Sequence, residues 1–137
     1  MNIYIFENGN ISFFDFKKYY EEVITPFMNR DDVIFSLCDF KGVDTLAMEL
    51  LKCYSKNVCI YHIGDKPIYF PDKYKTEVSN WRIFGGFEND EHRDKAIIMK
   101  CTHFIAVDFN SDIRRKSGTI KNIELCESLG KIRLINE

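Results

Sequence analysis

Short apolar runs alternate with longer amphipathic segments along almost the whole chain, and this alternation restricts the fold more than any other feature. Predicted strands cover residues 2–7, 33–37, 57–62, 102–108 and 131–135. Predicted helices cover residues 13–28, 43–54, 89–100 and 117–129. Strands separated by helices form parallel sheets that right-handed crossovers cover on both faces. The sequence therefore predicts one Rossmann-like α/β domain over residues 1–137, with a five-stranded parallel sheet in the order 3-2-1-4-5.

The balance of charge restricts the partners. The chain has 19 basic and 21 acidic residues, a net charge of −2, which gives no electrostatic argument for binding nucleic acid. No apolar run approaches the roughly 20 residues that a membrane-spanning helix needs. The N-terminal residues also lack the basic flank and apolar core of a signal peptide. We therefore predict a cytoplasmic protein that binds neither nucleic acid nor membrane.

The five cysteines and three histidines show no pattern typical of a metal site. The number of cysteines is odd and there is no Cys-x-x-Cys pair, which argues against a disulfide framework and against a zinc ribbon. We predict no metal and no cofactor. Cys38 stands beside Asp39 at a predicted strand end, and as a nucleophile it would need His62 as its base.

A candidate anion site lies where the fourth predicted strand leads into the fourth predicted helix. The apolar run 104–107 ends at Asp108, and Ser117-Gly118-Thr119 then opens the helix. A helix N-terminus offers unpaired N–H groups and the positive end of the dipole, which suit phosphate. The alternative is an ordinary helix cap, in which the Ser117 side chain accepts a backbone hydrogen bond.

The loops that follow the strands should meet at one edge of the sheet. Ligands of open parallel sheets bind beyond the carboxyl ends of the strands, where the strand order reverses. In the predicted order this point lies between the first and fourth strands. Arg93 and Asp94 are either a pair that braces such a site or a solvated pair on a helix. The candidate ligand-binding residues are Asn8, Gly9, Asp39, Gly42, Asp44, Asp108, Ser117, Gly118, Thr119 and Asn122.

The order and spacing of these pieces resemble the SLOG superfamily of small Rossmann-like proteins. The matching pieces are residues 38–44, residues 58–65 ending in Gly64-Asp65, the Arg93-Asp94 pair, and residues 108–122 with Gly118-Thr119. This superfamily includes the lonely-guy phosphoribohydrolases and the core of DNA-processing protein A, with nucleoside deoxyribosyltransferases as more distant relatives. The resemblance implies a nucleotide or NAD-derived ligand, or cleavage of an N-glycosidic bond.

Departures from the superfamily pattern favour binding over catalysis. The first loop reads Glu7-Asn8-Gly9 instead of Gly-Ser-Arg/Gly, which puts a carboxylate where a phosphate would otherwise sit. Lys121 and Asn122 stand where glycosidase-type relatives carry a catalytic glutamate. We therefore predict a sensor or sequestering protein that binds a nucleotide-like small molecule without turnover. The alternatives are an N-glycosidase or deoxyribosyltransferase-like enzyme and an interaction module with a vestigial pocket. The catalytic candidates of such an enzyme are Asp39, Asp108 and Glu124.

The segment 68–88 is predicted to be irregular, because Pro71, Gly85 and Gly86 interrupt any regular element. It contains the only tryptophan, Trp81, together with more aromatic side chains than a surface loop can leave exposed. Its predicted roles are a lid over the carboxyl edge of the sheet, hinged at Gly85-Gly86, or an interface in a homo-oligomer.

Overall fold

A single parallel sheet runs through the residues that the computed structural model describes, which are 1–7, 11–109 and 116–136. Its strands lie in the order β4-β3-β2-β1-β5-β6, and every neighbouring pair is parallel. The predicted Rossmann-like α/β class is confirmed, but the predicted number of strands was wrong by one. The strands are β1 Asn2–Ile5, β2 Ile34–Leu37, β3 Val58–Ile63, β4 Arg82–Phe87, β5 His103–Ile105 and β6 Ile132–Arg133.

Helices connect most of these strands. Helix α1 spans residues 13–27, α2 Val43–Leu51, α3 Asp90–Lys100 and α4 Gly118–Ser128. Side-chain caps begin two of them, since the side chain of Asn89 accepts from the His92 N–H and that of Ser117 from the Ile120 N–H. None of the helices in the described ranges is both long and apolar enough to span a membrane.

The alternation of side chains along β1 divides the core into two layers. Ile3 and Ile5 pack with residues of α1 and α2, whereas Tyr4 and Phe6 pack with residues of α3 and α4. Successive side chains of a strand point to opposite faces of its sheet, so one short strand supplies both layers. The helices therefore cover both faces of the sheet, as predicted.

Helix α1 contains a π-helical turn. The run consists of α-helix Phe13–Phe16, π-helix Lys17–Glu21, α-helix Glu22–Ile24 and 3-10 helix Thr25–Phe27. Tyr20 lies in the π-helical turn and is fully buried. Its hydroxyl donates to the carbonyl of Phe6 at 2.9 Å and accepts from the N–H of Val107 at 3.0 Å. One side chain thus bridges the ends of β1 and β5.

The additional strand, β4, comes from the segment that was predicted to be irregular. It pairs with β3 in parallel from Cys59↔Arg82 onwards, with a register shift between Tyr61 and Ile63. Gly86 has a φ of 82° beside this shift. A glycine inside a strand marks a bulge or a close backbone approach, and here it does not end the strand. The prediction of five strands was wrong because Gly85 and Gly86 were interpreted only as residues that interrupt a regular element.

Trp81, which precedes β4, belongs to the core. Its side chain is 7% exposed, and its indole N–H donates to the carbonyl of Ser55 at 2.7 Å. The ring meets that of Phe70 edge-on, with 5.9 Å between their centroids. Buried indole groups need such a hydrogen-bond partner. The tryptophan therefore packs against the face of the sheet that α1 and α2 cover.

We predict that Gly85→Ala destabilises the protein through contact with His62. A Cβ atom at Gly85 would lie 2.4 Å from Cε1 and 2.6 Å from Nε2 of the His62 ring, which is buried. We expect a loss of about 1–3 kcal/mol in the free energy of unfolding, measured with urea, because the ring or the strand must move. In a His62→Ala background the same substitution should cost less than half as much. Equal costs in both backgrounds would show that the close approach is not the cause.

Candidate functional site

A cavity of about 570 Å³ opens beyond the carboxyl ends of β1 and β2, between the first turns of α3 and α4. It adjoins β1, which pairs with β2 on one side and with β5 on the other. This is the point of strand-order reversal at which open α/β sheets bind their ligands. The cavity is lined by Tyr4, Phe6, Glu7, Cys38, Phe40, Asp44, Asp90, Glu91, Arg93, Asp94, Lys95, Gly118, Lys121, Asn122 and Leu125.

Asp94 connects the elements around this cavity. Its Oδ1 accepts from the Tyr4 hydroxyl at 3.4 Å and lies 3.6 Å from the Cys38 Sγ. Its Oδ2 accepts from the Asn122 Nδ2 at 3.0 Å. One carboxylate of α3 thus contacts β1, the residue after β2 and the first turns of α4.

Arg93 is a buried cation with several acidic partners. Its Nη2 lies 3.1 Å from Asp90 Oδ1, its Nε 3.3 Å from Asp94 Oδ1 and its Nη1 3.9 Å from Asp39 Oδ1. A buried charge is tolerated when it is paired in this way. The sequence left two alternatives for the Arg93-Asp94 pair. The contacts agree with a pair that braces the site and not with a solvated pair on the helix surface.

Asp44 is a buried carboxyl group with spare hydrogen-bonding capacity. The side chain lies at the start of α2 and is 4% exposed. Its Oδ2 accepts from the Phe40 N–H at 3.0 Å, whereas its Oδ1 has no hydrogen-bond partner among the described residues. Burial raises the pKa of Asp44 to about 8. At neutral pH this wall of the cavity therefore carries a protonated carboxyl group.

Cys38 behaves as a buried thiol. Burial raises its pKa well above the ordinary value, and its neighbours are the Tyr4 hydroxyl and Asp94. His62, the base that a nucleophilic role would require, contacts the region of Gly85 in β4. A thiol that stays protonated is a poor nucleophile. The arrangement makes Cys38 a weak donor in the wall of the cavity.

The start of α4 binds a carboxylate of the protein itself. The Thr119 hydroxyl, which is buried, donates to Glu7 Oε1 at 3.0 Å. Glu7 Oε2 accepts from the N–H of Phe109 at 3.3 Å, and the Glu7 side chain is 6% exposed. Ser117 caps the helix and donates to Asp108 Oδ1 at 2.9 Å. The predicted cap is therefore present, with Glu7 beside it, and anion binding by this turn stays a prediction.

The predicted site residues fall into several groups. Asp44, Gly118 and Asn122 line the cavity. Asp39 lies behind it, where its Oδ2 accepts from the Ile68 N–H at 2.6 Å, and Gly42 is the N-cap of α2 with a φ of 97°.

Of the other candidates, Glu124 pairs with Lys116 at 2.9 Å, with half of each side chain exposed, and does not line the cavity. Asn8 and Gly9 lie outside the described residues.

Several lining residues were not among the predicted site residues. Tyr4 is a hydroxyl-bearing residue within an apolar strand, and the alternation in β1 would have assigned it to the face of α3 and α4. Asp90, Arg93 and Asp94 have the three- and four-residue spacing that puts side chains on one side of a helix. Lys121 was noted only as a replacement for a catalytic glutamate. Of these residues, only Arg93 and Asp94 were considered for a part in the site, as a pair that braces it.

Comparisons of the chain with family models, with curated proteins and with solved structures give no match. The resemblance to the SLOG superfamily therefore rests on the quoted motifs and remains a prediction. Among residues 1–7, 11–109 and 116–136, no group of three His, Cys, Asp or Glu side chains is arranged to hold a metal ion.

We predict that Asp44 makes the folded protein less stable as the pH rises. The pKa of the group is about 8 in the folded protein, against an ordinary value of 3.8. Between these values the folded state binds a proton that the unfolded state has lost, so the free energy of unfolding falls with rising pH, by at most about 1.4 kcal/mol per pH unit. The decrease that Asp44 causes in the free energy of unfolding should be complete above pH 8.

Asp44→Asn tests this prediction, since the amide oxygen still accepts from the Phe40 N–H while the group no longer titrates. The free energy of unfolding, measured with urea from pH 5 to pH 8, should fall less steeply in this variant than in the wild type. Asp65→Asn, on the exposed loop after β3, is the control and should retain the wild-type slope. A wild-type slope in Asp44→Asn would contradict the raised pKa.

Proposed function

We propose that the protein binds a small molecule built on a nucleoside, such as a nucleotide or an NAD-derived compound, without turnover. The observation that carries this proposal is the cavity at the strand-order reversal, with the spare oxygen of Asp44 in its wall. A buried polar group without a partner is costly, and a ligand that accepts a hydrogen bond from the protonated Asp44 carboxyl group removes the cost. Ring nitrogens, carbonyl oxygens and hydroxyl oxygens of a nucleoside are such acceptors.

The size and the walls of the cavity support a ligand of this class. Its volume of about 570 Å³ lies within the usual range of small-molecule sites. Of the aromatic side chains in the lining, Phe40 is 45% exposed, whereas Tyr4 and Phe6 are buried. The flat surface of the Phe40 ring suits the face of a base. Because Asp94 holds Tyr4 and Asn122, part of the wall is ordered before a ligand arrives.

Cleavage of an N-glycosidic bond is the second candidate function. Asp44 and Asp94 come from different helices and line the same cavity, and Asp44 is protonated at neutral pH. Glycosidases use such a pair, with one carboxyl group as acid and the other as nucleophile or base. Binding without turnover is favoured because Lys121 and Asn122 replace the glutamate of the enzymes that the motifs resemble.

Native mass spectrometry of freshly purified protein, followed by calorimetry with nucleosides, nucleotides and NAD, tests the binding. We expect Gly118→Asp to weaken binding by at least about tenfold, since it adds a side chain and a charge to the cavity. Asn29→Asp adds the same charge before β2, at the opposite edge of the sheet, and should bind as the wild type does. Equal binding by both variants would contradict the cavity as the site.

Chromatography after long incubation with nucleosides, nucleotides and NAD tests the absence of turnover. We expect no release of free base by the wild type, because no glutamate follows Gly118-Thr119 at the place used by the enzymes. If the wild type releases free base, and Asp94→Asn or Asp44→Asn abolishes this release, the protein is a glycosidase and the proposal of binding without turnover is wrong.

A further inference from the structure

Two buried cysteines lie together where α3 and α4 end. Cys101 caps the C-terminus of α3, Cys126 lies in the last turn of α4, and both belong to the core layer between these helices and the sheet. The Cys126 thiol donates to the sulfur of Cys101. The Cys101 thiol in turn donates to the carbonyl of Ile98 at 3.4 Å. The fold thus brings into contact two thiols that are distant in sequence.

Backbone hydrogen bonds at the start of β6 hold the segments that carry these cysteines. The N–H of Lys131 donates to the carbonyl of Cys126 at 2.9 Å. The next N–H, that of Ile132, donates at 3.1 Å to the carbonyl of Thr102, which directly follows Cys101. A disulfide requires its two Cα atoms to lie within about 7 Å of each other, and segments held side by side in this way favour such a distance.

The cover over the two thiols is thin. Thr102 and Glu127, which follow the cysteines in the chain, are exposed, and β6 is an edge strand of two residues. Short elements at an edge open at low cost, so a small oxidant can reach the thiols. The hydrogen bond from Cys126 and the nearby charge of Lys131 lower the pKa of Cys101. This favours the thiolate, which is the form of cysteine that reacts with an oxidant.

We infer that Cys101 and Cys126 are an oxidation site, at which hydrogen peroxide converts the two thiols into a disulfide between the ends of α3 and α4. In reducing compartments, disulfides of this kind are usually transient and report on the redox state. The disulfide joins the two helices whose first turns line the cavity. The inference does not rest on the proposed function, since it concerns the opposite ends of these helices.

The reaction balances with one peroxide for each pair of thiols. The Cys101 thiolate attacks one peroxide oxygen, the O–O bond breaks and hydroxide leaves, which gives a sulfenic acid at Cys101. The Cys126 sulfur then attacks the Cys101 sulfur, the S–O bond breaks and a second hydroxide leaves. The two thiol protons convert both hydroxide ions into water. The thiols thereby lose two electrons, and these reduce the peroxide.

Peptide mapping of the full chain after treatment with hydrogen peroxide tests the site. Trypsin separates the two cysteines into the peptides 101–114 and 122–131, and the other three cysteines lie on further peptides. In the folded protein, the disulfide between 101–114 and 122–131 should exceed every other cysteine pair by about tenfold or more. Dithiothreitol should restore both thiols. In urea, where the contacts are lost, the excess should disappear.

Cys126→Ala should abolish this disulfide. Cys59→Ala is the matched control, since it removes a half-buried thiol that packs against the same core layer, and it should leave the disulfide unchanged. The exposed Cys53 reports within each sample that the oxidant has acted. A folded wild type with Cys53 oxidised and the two peptides unlinked would overturn the inference, as would an equal yield of the disulfide in urea. If Cys126→Ala does not fold, the wild-type map alone decides.

Discussion

The carboxylate of Asp94 is the interaction on which the arrangement of the cavity depends. It accepts from Tyr4 in β1 and from Asn122 in α4, and it lies within 3.6 Å of the Cys38 thiol after β2. Arg93, the preceding residue, supplies a buried positive charge beside this partly buried carboxylate. The two residues are adjacent in one helix turn, so α3 brings both charges to the sheet together. The distance between α3 and α4 across the cavity follows from these contacts.

The sequence predicted the elements with strong local signals. A short apolar run identified the central strand β1, and Ser117 was a candidate helix cap because short polar side chains satisfy the first N–H groups. The order of the five predicted strands is retained within the sheet, with β4 added next to β3. That strand was missed because it is an edge strand without regular alternation of burial. Its glycine at position 85 is also explained only by the tertiary structure, since a side chain there would collide with the ring of His62, which is distant in sequence.

The sequence predicted the cavity less completely than it predicted the fold. Its position at the strand-order reversal follows from topology, and Asp44, Gly118 and Asn122 were candidates for that reason. The contacts of Asp94 with β1 and α4 join residues that are up to 90 positions apart, and no local pattern reports them. The burial that alters the pKa of Asp44 is likewise a tertiary effect. Polar groups that reduce stability in this way are typical of functional sites, at which local rules for stable packing are broken.

The position of β1 in the middle of the sheet has a consequence for the rate of folding. Ile3 pairs with Phe35 on one side and with His103 on the other, so one of the two neighbours of this strand comes from the last third of the chain. Closing so long a loop is entropically costly, and chains rich in such distant pairings fold slowly. As the protein is synthesised, β1 emerges first and can pair early with β2 alone. One edge of this apolar strand then stays open until β5 has been made, which gives chaperones and neighbouring nascent chains a period in which they can bind it.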